Sequence, residues 1–251
     1  MREGGPGQSN CIDKGVEKNL ETGEMTMKIV AIVGSPKGTR GSTHALLEIV
    51  LEGAEAAGAL TETILIKGSE VKPCKACDVC HKTGVCPQKD HFNEFKNKIM
   101  EADALVLATP NYISHVSAQL KAFLDRCCGV VHCIGFEGKY GASVVTSGGG
   151  DEKPIVDYLN QFLAVTGCIP VGSVWSTMST VEGYNFPEDT RNKALALGEK
   201  LVTSWKNKET AHEYEAIARL FRERMRSLIT WRKEEWPFEA EFWKECRGMK
   251  G

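Results

Sequence analysis

Five short apolar runs, each followed by a segment with helical periodicity, constrain the fold of this chain more than any other feature of its sequence. The runs are rich in β-branched residues; the first ends at Gly34 and the third at Pro110, as is typical of strands buried on both faces. Alternating strands and helices fold into a parallel sheet covered by helices on both faces and joined by right-handed crossovers. We predict the five strands at residues 28–34, 61–67, 104–110, 140–147 and 169–176.

The number of strands favours one sheet topology. Five strands fit the flavodoxin-like order 2-1-3-4-5 better than the six-stranded dinucleotide-binding fold. We therefore predict the α/β class, with a flavodoxin-like doubly wound five-stranded parallel sheet and a C-terminal helical extension. After Trp205 a long amphipathic segment begins, and three of the five tryptophans lie near its end. The predicted organisation is a flexible leader at 1–26, a sheet domain at 27–206 and a helical, Trp-rich extension at 207–251.

Charge and hydropathy argue against several classes of partner. The formal net charge is −2, which gives no overall attraction to nucleic acid. No apolar run is long enough to span a bilayer, and residues 1–26 lack the apolar centre of a secretory signal. We therefore expect a cytoplasmic protein with no nucleic-acid or membrane partner. Thiols stay reduced in the cytoplasm, so clustered cysteines indicate metal binding or redox chemistry rather than disulfides.

The first predicted strand leads into the loop "GSPKGTRGST", residues 34–43, just before a predicted helix. Ligands of parallel α/β sheets bind beyond the carboxyl ends of the strands, and a helix N-terminus at that edge favours a phosphate. The loop contains neither G-x-G-x-x-G nor the P-loop pattern, so neither a dinucleotide nor a nucleoside triphosphate is indicated. It predicts a phosphate site, and the alternative is a Gly-rich turn that binds nothing.

Two more loops follow the third and fourth strands: "TPNYISHVSAQLKAFLDR" from Thr109 and "TSGGG" from Thr146. Pro110 and Asn111 stiffen a turn, and Tyr112 offers a flat ring on which a planar heterocycle can stack. Three successive glycines let the backbone alone approach a ligand. Strands one, three and four are neighbours in the predicted order, so the three loops should converge on one crevice that holds a phosphate and a flat ring.

Together these three loops resemble the NADPH-dependent FMN reductase family of flavodoxin-like proteins, over roughly residues 28–205. The resemblance implies an FMN-dependent oxidoreductase with FMN in the crevice. The first loop would hold the phosphate, the second would line the isoalloxazine ring, and the third would lie near the edge of that ring. The FMN-binding residues predicted in this way are Ser35, Lys37, Gly41, Ser42, Thr43, Pro110, Asn111, Tyr112, Ile113, Thr146, Gly148 and Gly149.

Four of the ten cysteines lie in "CKACDVCHKTGVC", residues 74–86, with the spacing C-x2-C-x2-C-x5-C. Iron–sulfur cubes take four thiolates, whereas structural zinc usually takes two pairs separated by a longer insert. Zinc and free thiols remain alternatives. A compact cysteine run between the second strand and the next helix resembles the iron–sulfur flavoprotein subgroup of the family, which carries a 4Fe–4S cluster beside FMN. The ligands implied by this resemblance are Cys74, Cys77, Cys80 and Cys86.

Other cysteines and histidines are expected to have structural roles. Cys127, Cys128 and Cys133 cluster with His132 in the sequence, and we expect them to be buried rather than to form a second metal site. His81 lies inside the cysteine loop. It either tunes a cluster there or, as we expect, is solvated.

The helical extension raises two questions about partners. Its apolar residues recur at helical spacing, which indicates either packing on the same subunit or a subunit contact. The family resemblance implies a homodimer or homotetramer. The run "RLFRERMRSLITWRK", residues 219–233, is locally basic. It is either the solvated face of a helix or a docking patch for an acidic electron carrier.

These features predict a redox flavoprotein that passes electrons between a ferredoxin-like one-electron donor, a 4Fe–4S cluster and FMN, and on to a small-molecule acceptor. One alternative is an NAD(P)H-dependent FMN or quinone reductase without a cluster. The other is a non-catalytic electron carrier like flavodoxin. Because the cofactors supply the chemistry, we predict no catalytic side chain.

Overall fold

A parallel sheet forms the centre of the computed structural model, which describes residues 25–249. Within them the strands are β1 (Lys28–Val33), β2 (Leu60–Leu65), β3 (Ala104–Pro110), β4 (Tyr140–Ser147) and β5 (Ile169–Thr177). Every neighbouring pair is parallel, and the order β2-β1-β3-β4-β5 confirms the predicted topology. Strand β2 ends two residues earlier than predicted, at Leu65, its last residue in register with β1.

Helices cover both faces of the sheet. Among the described residues they are α1 (Ser42–Ala56), α2 (Val79–Thr83), α3 (Phe92–Glu101), α4 (Ala118–Arg126), α5 (Cys128–Cys133), α6 (Glu152–Thr166), α7 (Glu188–Asn207), α8 (His212–Arg232) and α9 (Pro237–Arg247). α1 and α7 share one apolar cluster with the sheet, while α3, α4 and α6 share the other. α1 and α7 cross closely: a Cβ on Gly198 would lie 1.9 Å from the carbonyl oxygen of Val50. A side chain at Gly198 would force the two helices apart.

The C-terminal extension, α8 and α9, packs on a third apolar cluster. Met225 and Ile229 of α8 are buried there with Trp236 and Trp243, against residues at the end of α5. The predicted helical extension is therefore confirmed, although the structure breaks it into two helices. Pro237 starts α9, because proline cannot continue a helix but suits its first turn.

Two short helices, α2 and α5, lie where none was predicted. They contain five and six residues, too few for a hydrophobic period to be recognised. Most of the predicted leader at 1–26 lies outside the described residues. The domain boundary at 206/207 remains a prediction, and α7 continues to Asn207. Across residues 25–249, none of the helices combines the length and the apolarity needed to cross a bilayer.

Candidate functional site

The first predicted loop runs from the end of β1 to the start of α1 and contains a 3-10 turn at Gly38–Arg40. Gly34 opens the loop, where a Cβ would lie 2.5 Å from the Cβ of Leu120 on α4. Ser117, which caps α4, donates its hydroxyl to the Gly34 carbonyl. The sequence needs glycine here because the backbone of the loop touches α4.

The hydroxyl groups of this loop meet the third loop. Thr43 is buried, and its Oγ1 lies 2.6 Å from Oγ1 of Thr146 at the end of β4. The Ser42 hydroxyl points at the same Thr146 oxygen, at 3.5 Å. Ser35 is also buried, whereas Lys37 is exposed. The structure thus brings together the predicted hydroxyls at the N-terminus of α1, where helix N–H groups favour an anion.

The second loop is joined to the third by its backbone. The Asn111 N–H donates to the carbonyl of Thr146 at 2.6 Å, and the Asn111 side-chain amide donates to the carbonyl of Gly150 at 3.0 Å. The Asn111 Oδ1 atom is buried, yet it accepts no hydrogen bond from the protein. A buried acceptor without a donor costs free energy, so this oxygen fits a ligand that brings an N–H or O–H group.

A tight turn carries the predicted ring-lining residues. Tyr112 and His115 exchange backbone hydrogen bonds at 2.9 and 3.2 Å, with Ile113 and Ser114 between them at φ values of 51° and 57°. A left-handed conformation is costly for a β-branched residue, and Ile113 is also 98% exposed. The turn therefore presents Tyr112 and Ile113 outward beyond the end of β3, where Pro110 is its last residue.

The third loop leaves open space. A Cβ added to Gly148 or Gly149 would meet no atom within 4 Å, so the structure has room beside both residues. Glu152 fixes the loop from behind: it is buried and accepts hydrogen bonds from the hydroxyls of Ser147 and, at 2.6 Å, Thr177. Burial opposes ionisation of Glu152, but these two hydrogen bonds outweigh it and lower its pKa. Sequence analysis missed Glu152, which had no signal beyond its place near a helix start.

The cysteine loop connects β2 to α3 and contains α2. Ala76 and Asp78 adopt left-handed conformations, with φ values of 50° and 57°, and turn the chain between successive cysteines. The N–H of Ala76 donates to Sγ of Cys74 at 3.4 Å. Backbone donors to sulfur favour the thiolate form that a metal cluster requires.

Asp90, which follows this loop, links it to Lys72, which precedes it. Its carboxylate accepts the N–H of Lys72 at 3.0 Å and both arms of the Arg126 guanidinium, at 2.8 and 3.1 Å. The Arg126 side chain is fully buried and also donates to the Lys72 carbonyl at 2.9 Å. Burial works against the Asp90 charge, but the Arg126 hydrogen bonds outweigh it and lower the pKa of Asp90. A single buried ion pair thus fastens the loop to the end of α4.

The four predicted ligand thiols lie in two environments. Cys74 and Cys77 are exposed, while Cys80 and Cys86 are half-buried. Cys80 and Cys86 line a cavity of about 130 Å³ that also touches Phe238 on α9. Two of the four thiols thus line a cavity wall, and the other two lie on the exposed side of the loop.

His81 is not solvated as expected; its side chain is buried, although the residue belongs to the loop. Its Nδ1 lies 2.5 Å from Oε1 of Glu239 on α9, and Nδ1 of His132 lies 3.0 Å from the other carboxylate oxygen. Cys128 is half-buried, with its Sγ 3.7 Å from Nε2 of His132. The prediction of simple burial for this group was therefore incomplete, because Glu239 and His81 meet it only in the folded chain.

The opposite charges in this buried group stabilise one another. Hydrogen bonds from His132 and His81 lower the pKa of Cys128 to about 6. Burial disfavours a charge on His132, but hydrogen bonds to Cys128 and Glu239 outweigh it and raise the pKa of His132 to about 9. A thiolate and a protonated imidazole therefore coexist at neutral pH.

Comparison with known proteins agrees with this geometry. The chain matches the family model of the NADPH-dependent FMN reductases over residues 27–183. It is 32% identical over 220 residues to a protein of Archaeoglobus fulgidus named iron-sulfur flavoprotein, and the match covers 87% of this chain and 98% of that relative.

Two solved structures are similar in fold. One is the apo form of an NADH:FMN oxidoreductase, with a TM-score of 0.54, 22% identity, and coverage of 74% of this chain and 96% of that chain. The other is a WrbA-like flavodoxin of Agrobacterium tumefaciens, with a TM-score of 0.51, 18% identity, and coverage of 73% and 100%. At these identities the two structures support the fold alone.

The family model spans more than half of this chain, and the relative is matched over nearly its whole length. The chain is accordingly a flavin redox protein of the FMN-dependent oxidoreductase type. It belongs to the NADPH-dependent FMN reductase family and, within that family, to the iron–sulfur flavoproteins.

Proposed function

We propose that this protein takes single electrons from a ferredoxin-like donor through a 4Fe–4S cluster to FMN, and passes them on to a small-molecule acceptor. The observation that carries the proposal is that a single helix, α4, supports both the proposed flavin crevice and the four-thiol loop. The crevice loops follow the carboxyl ends of β1, β3 and β4, and the four-thiol loop lies in the connection from β2 to α3.

Helix α4 connects the two regions. Ser117 at its N-terminus contacts Gly34 of the crevice, and Arg126 at its last residue holds Asp90 of the cysteine loop. α4 has nine residues and is therefore about 14 Å long. The two proposed centres are thus supported by opposite ends of one short rigid element.

In the crevice, the chain would bind and orient the flavin. The residues proposed to hold its phosphate are Ser35, Lys37, Gly41, Ser42 and Thr43 at the N-terminus of α1. Asn111 offers its unpaired Oδ1 to a ring N–H, while Tyr112 and Ile113 shield the ring from water. Gly148 and Gly149 leave room along its edge, next to Thr146.

In the cysteine loop, Cys74, Cys77, Cys80 and Cys86 would hold the cluster. FMN exchanges one or two electrons and a 4Fe–4S cluster one, so the pair couples a one-electron carrier to a two-electron acceptor. Arg126 interacts electrostatically with Cys86, and the Ala76 N–H donates to Cys74. These contacts would offset the negative charge of the thiolates.

We also propose that the partners dock on the extension and that the protein forms a homodimer or homotetramer. On α8 the cations Arg219, Arg224 and Arg226 are exposed, and so are the apolar Leu220 and Trp231. Exposed cations suit an acidic electron carrier, and exposed apolar side chains suit a second copy of the chain.

Metal and sulfide analysis of anaerobically purified protein tests the proposal. We expect FMN together with about four iron and four sulfide per chain, the content of a cysteine-ligated cube. Cys77→Ser should lose the iron and sulfide and keep FMN. Cys168→Ala, which changes a buried thiol outside the cysteine loop, should keep all three.

Other results would support the alternatives. A yellow protein without iron that NADPH alone reduces rapidly would be an FMN or quinone reductase. A protein that a one-electron donor reduces, but that turns over no acceptor, would be an electron carrier.

A further inference from the structure

A second group of metal-binding side chains lies at the base of the cysteine loop: His81 on α2, inside the loop, and Cys128 and His132 on α5. One ligand atom from each lies within 4.8 Å of the other two. The 3.7 Å between Cys128 Sγ and His132 Nε2 is close to the distance of about 3.6 Å between a thiolate and an imidazole nitrogen on one tetrahedral zinc ion. Cys128 and His132 are therefore spaced as two ligands of a single ion.

Glu239 orients both histidines for this role. Its carboxylate is fully buried and bonds Nδ1 of His81 through one oxygen and Nδ1 of His132 through the other. A carboxylate on the second ring nitrogen fixes the tautomer and the direction of a ligating histidine. Because both Nδ1 atoms are used, the metal would bind the Nε2 atoms, and Nε2 of His132 already lies against Cys128 Sγ.

The surroundings restrict water around the group. The rings of His81 and His132 stack with their centroids 4.7 Å apart, and Trp236 lies against both, at 4.6 and 5.1 Å. Trp236 itself is only 9% exposed. An apolar shell of this kind strengthens the binding of a charged ion to its ligands.

We propose that His81, Cys128 and His132 bind one Zn²⁺ ion, as a ligand set distinct from the four loop cysteines but next to Cys80. Two imidazoles and one thiolate suit this borderline-soft cation. The proton that Nε2 of His132 shares with Cys128 Sγ leaves when the ion binds. Asp78, with Oδ1 3.8 Å from His81 Nε2, or a water molecule takes the fourth position.

The ion would join three elements that are distant in sequence. α2 and α5 supply the ligands, and α9 supplies Glu239, which lies 158 residues after His81. The site would therefore fasten the extension to the cysteine loop, whether or not that loop holds a cluster.

The test uses the full chain, purified anaerobically with its FMN, loaded with Zn²⁺ and freed of loosely bound ions by gel filtration. Zinc, iron, sulfide and FMN are then measured per chain. We expect one zinc per chain in the wild-type protein and none in Cys128→Ser or His132→Gln, with iron, sulfide and FMN unchanged. Cys133→Ala on the same helix and Cys77→Ser in the loop are the controls and should keep the zinc.

Three outcomes would overturn the proposal: no zinc in the wild-type protein, zinc retained in Cys128→Ser, or zinc lost in Cys77→Ser instead. If Cys128→Ser fails to bind FMN and is therefore misfolded, the site is tested instead by adding Co²⁺ to the wild-type protein and to Cys77→Ser. A thiolate-to-cobalt absorption band that persists in Cys77→Ser supports the site, and its absence excludes it. Glu239→Gln should weaken zinc binding about 10- to 100-fold in a chelator competition, and unchanged affinity would remove the orienting role of Glu239.

Discussion

The proposed flavin crevice and the cysteine loop are supported by opposite ends of α4 but are built in different ways. The crevice is held mainly by backbone contacts between neighbouring strand ends, such as Gly34 N–H to Ala108 and Asn111 N–H to Thr146. The cysteine loop pairs with no strand of the described sheet and depends on buried charged side chains. Asp90 with Arg126, and Glu239 with two histidines, hold it in place.

This difference teaches that topology alone determines one region, while the other depends on a few specific side chains. Parallel strands that end together bring their loops together whatever side chains the loops carry. A loop outside the sheet has no such constraint, so its anchors must be ion pairs or packed helices. Single substitutions should therefore disturb the two regions independently.

The largest effect is expected at the anchor of the cysteine loop. Asp90→Asn leaves the buried Arg126 charge without its partner and should lower the free energy of unfolding by about 3–5 kcal/mol. Urea unfolding measures this loss, and iron content should fall more than FMN content. The control is Asp125→Asn, which removes a half-exposed pair with Lys121 and should cost no more than about 1 kcal/mol. Equal losses of unfolding free energy in Asp90→Asn and Asp125→Asn would contradict the role of the buried ion pair as the anchor of the loop.

The same ion pair predicts an acid dependence. The pKa of Asp90 is lowered from its ordinary 3.8, so the folded state favours its charged form. This contribution to stability is fully present above pH 3.8 and is lost as the pH falls through the lower folded pKa. Below pH 3.8 the stability of the wild-type protein should therefore fall towards that of Asp90→Asn. Parallel pH profiles of the two proteins would rule this out.

The next effect is expected in the open part of the crevice. Gly149→Val adds a side chain where the protein itself leaves space, so the unfolding free energy of the apo protein should change by no more than about 0.5 kcal/mol. If the flavin occupies that space, FMN should bind about 10- to 100-fold more weakly, or ~1.4–2.8 kcal/mol. Flavin fluorescence titration gives the affinity. Unchanged affinity would place the ring elsewhere.

A smaller effect is expected where a distant residue supports the phosphate loop. The Tyr184 hydroxyl donates to the carbonyl of Arg40. Tyr184→Phe should cost about 0.5–1 kcal/mol of FMN binding, because this hydrogen bond is half exposed. Iron and sulfide should stay at the wild-type level. A loss of iron in this variant would show that the two regions are coupled.

The smallest effect concerns the basic face of α8. Arg222 is already paired with Glu137, whereas Arg224 and Arg226 are exposed. Arg224→Glu with Arg226→Glu should slow reduction by a reduced ferredoxin several-fold at low salt and leave the rate at high salt unchanged. Stopped-flow reduction measures both rates. A rate unaffected at low salt would exclude this face as the docking patch.

Most of the sheet could be predicted from the sequence because its strands are continuous apolar runs. The bounds of β3 and β4 agree with the prediction residue for residue. The loops of the crevice could be placed as well, since strand order determines which loops meet. Pro237 also indicates the break before α9. The break was not predicted because the amphipathic pattern continues across it.

The supports of the cysteine loop could not be predicted in the same way. α2 and α5 are too short to show a period, and a lone glutamate in an amphipathic helix gives no sign that it is buried. Glu239 becomes informative only when the fold places His81 and His132 on its two oxygens. Contacts between residues so far apart in sequence arise from packing, which local pattern does not encode.

The position of Glu239 has a consequence for biogenesis. Chains emerge from the ribosome N-terminus first, and the strands and loops of the crevice are complete once β5 has been made. The cavity lined by Cys80 and Cys86 is complete only after α9 has been made, because Phe238 of α9 forms part of its wall. A newly made chain can thus acquire its flavin while the proposed cluster site still lacks the support of α9.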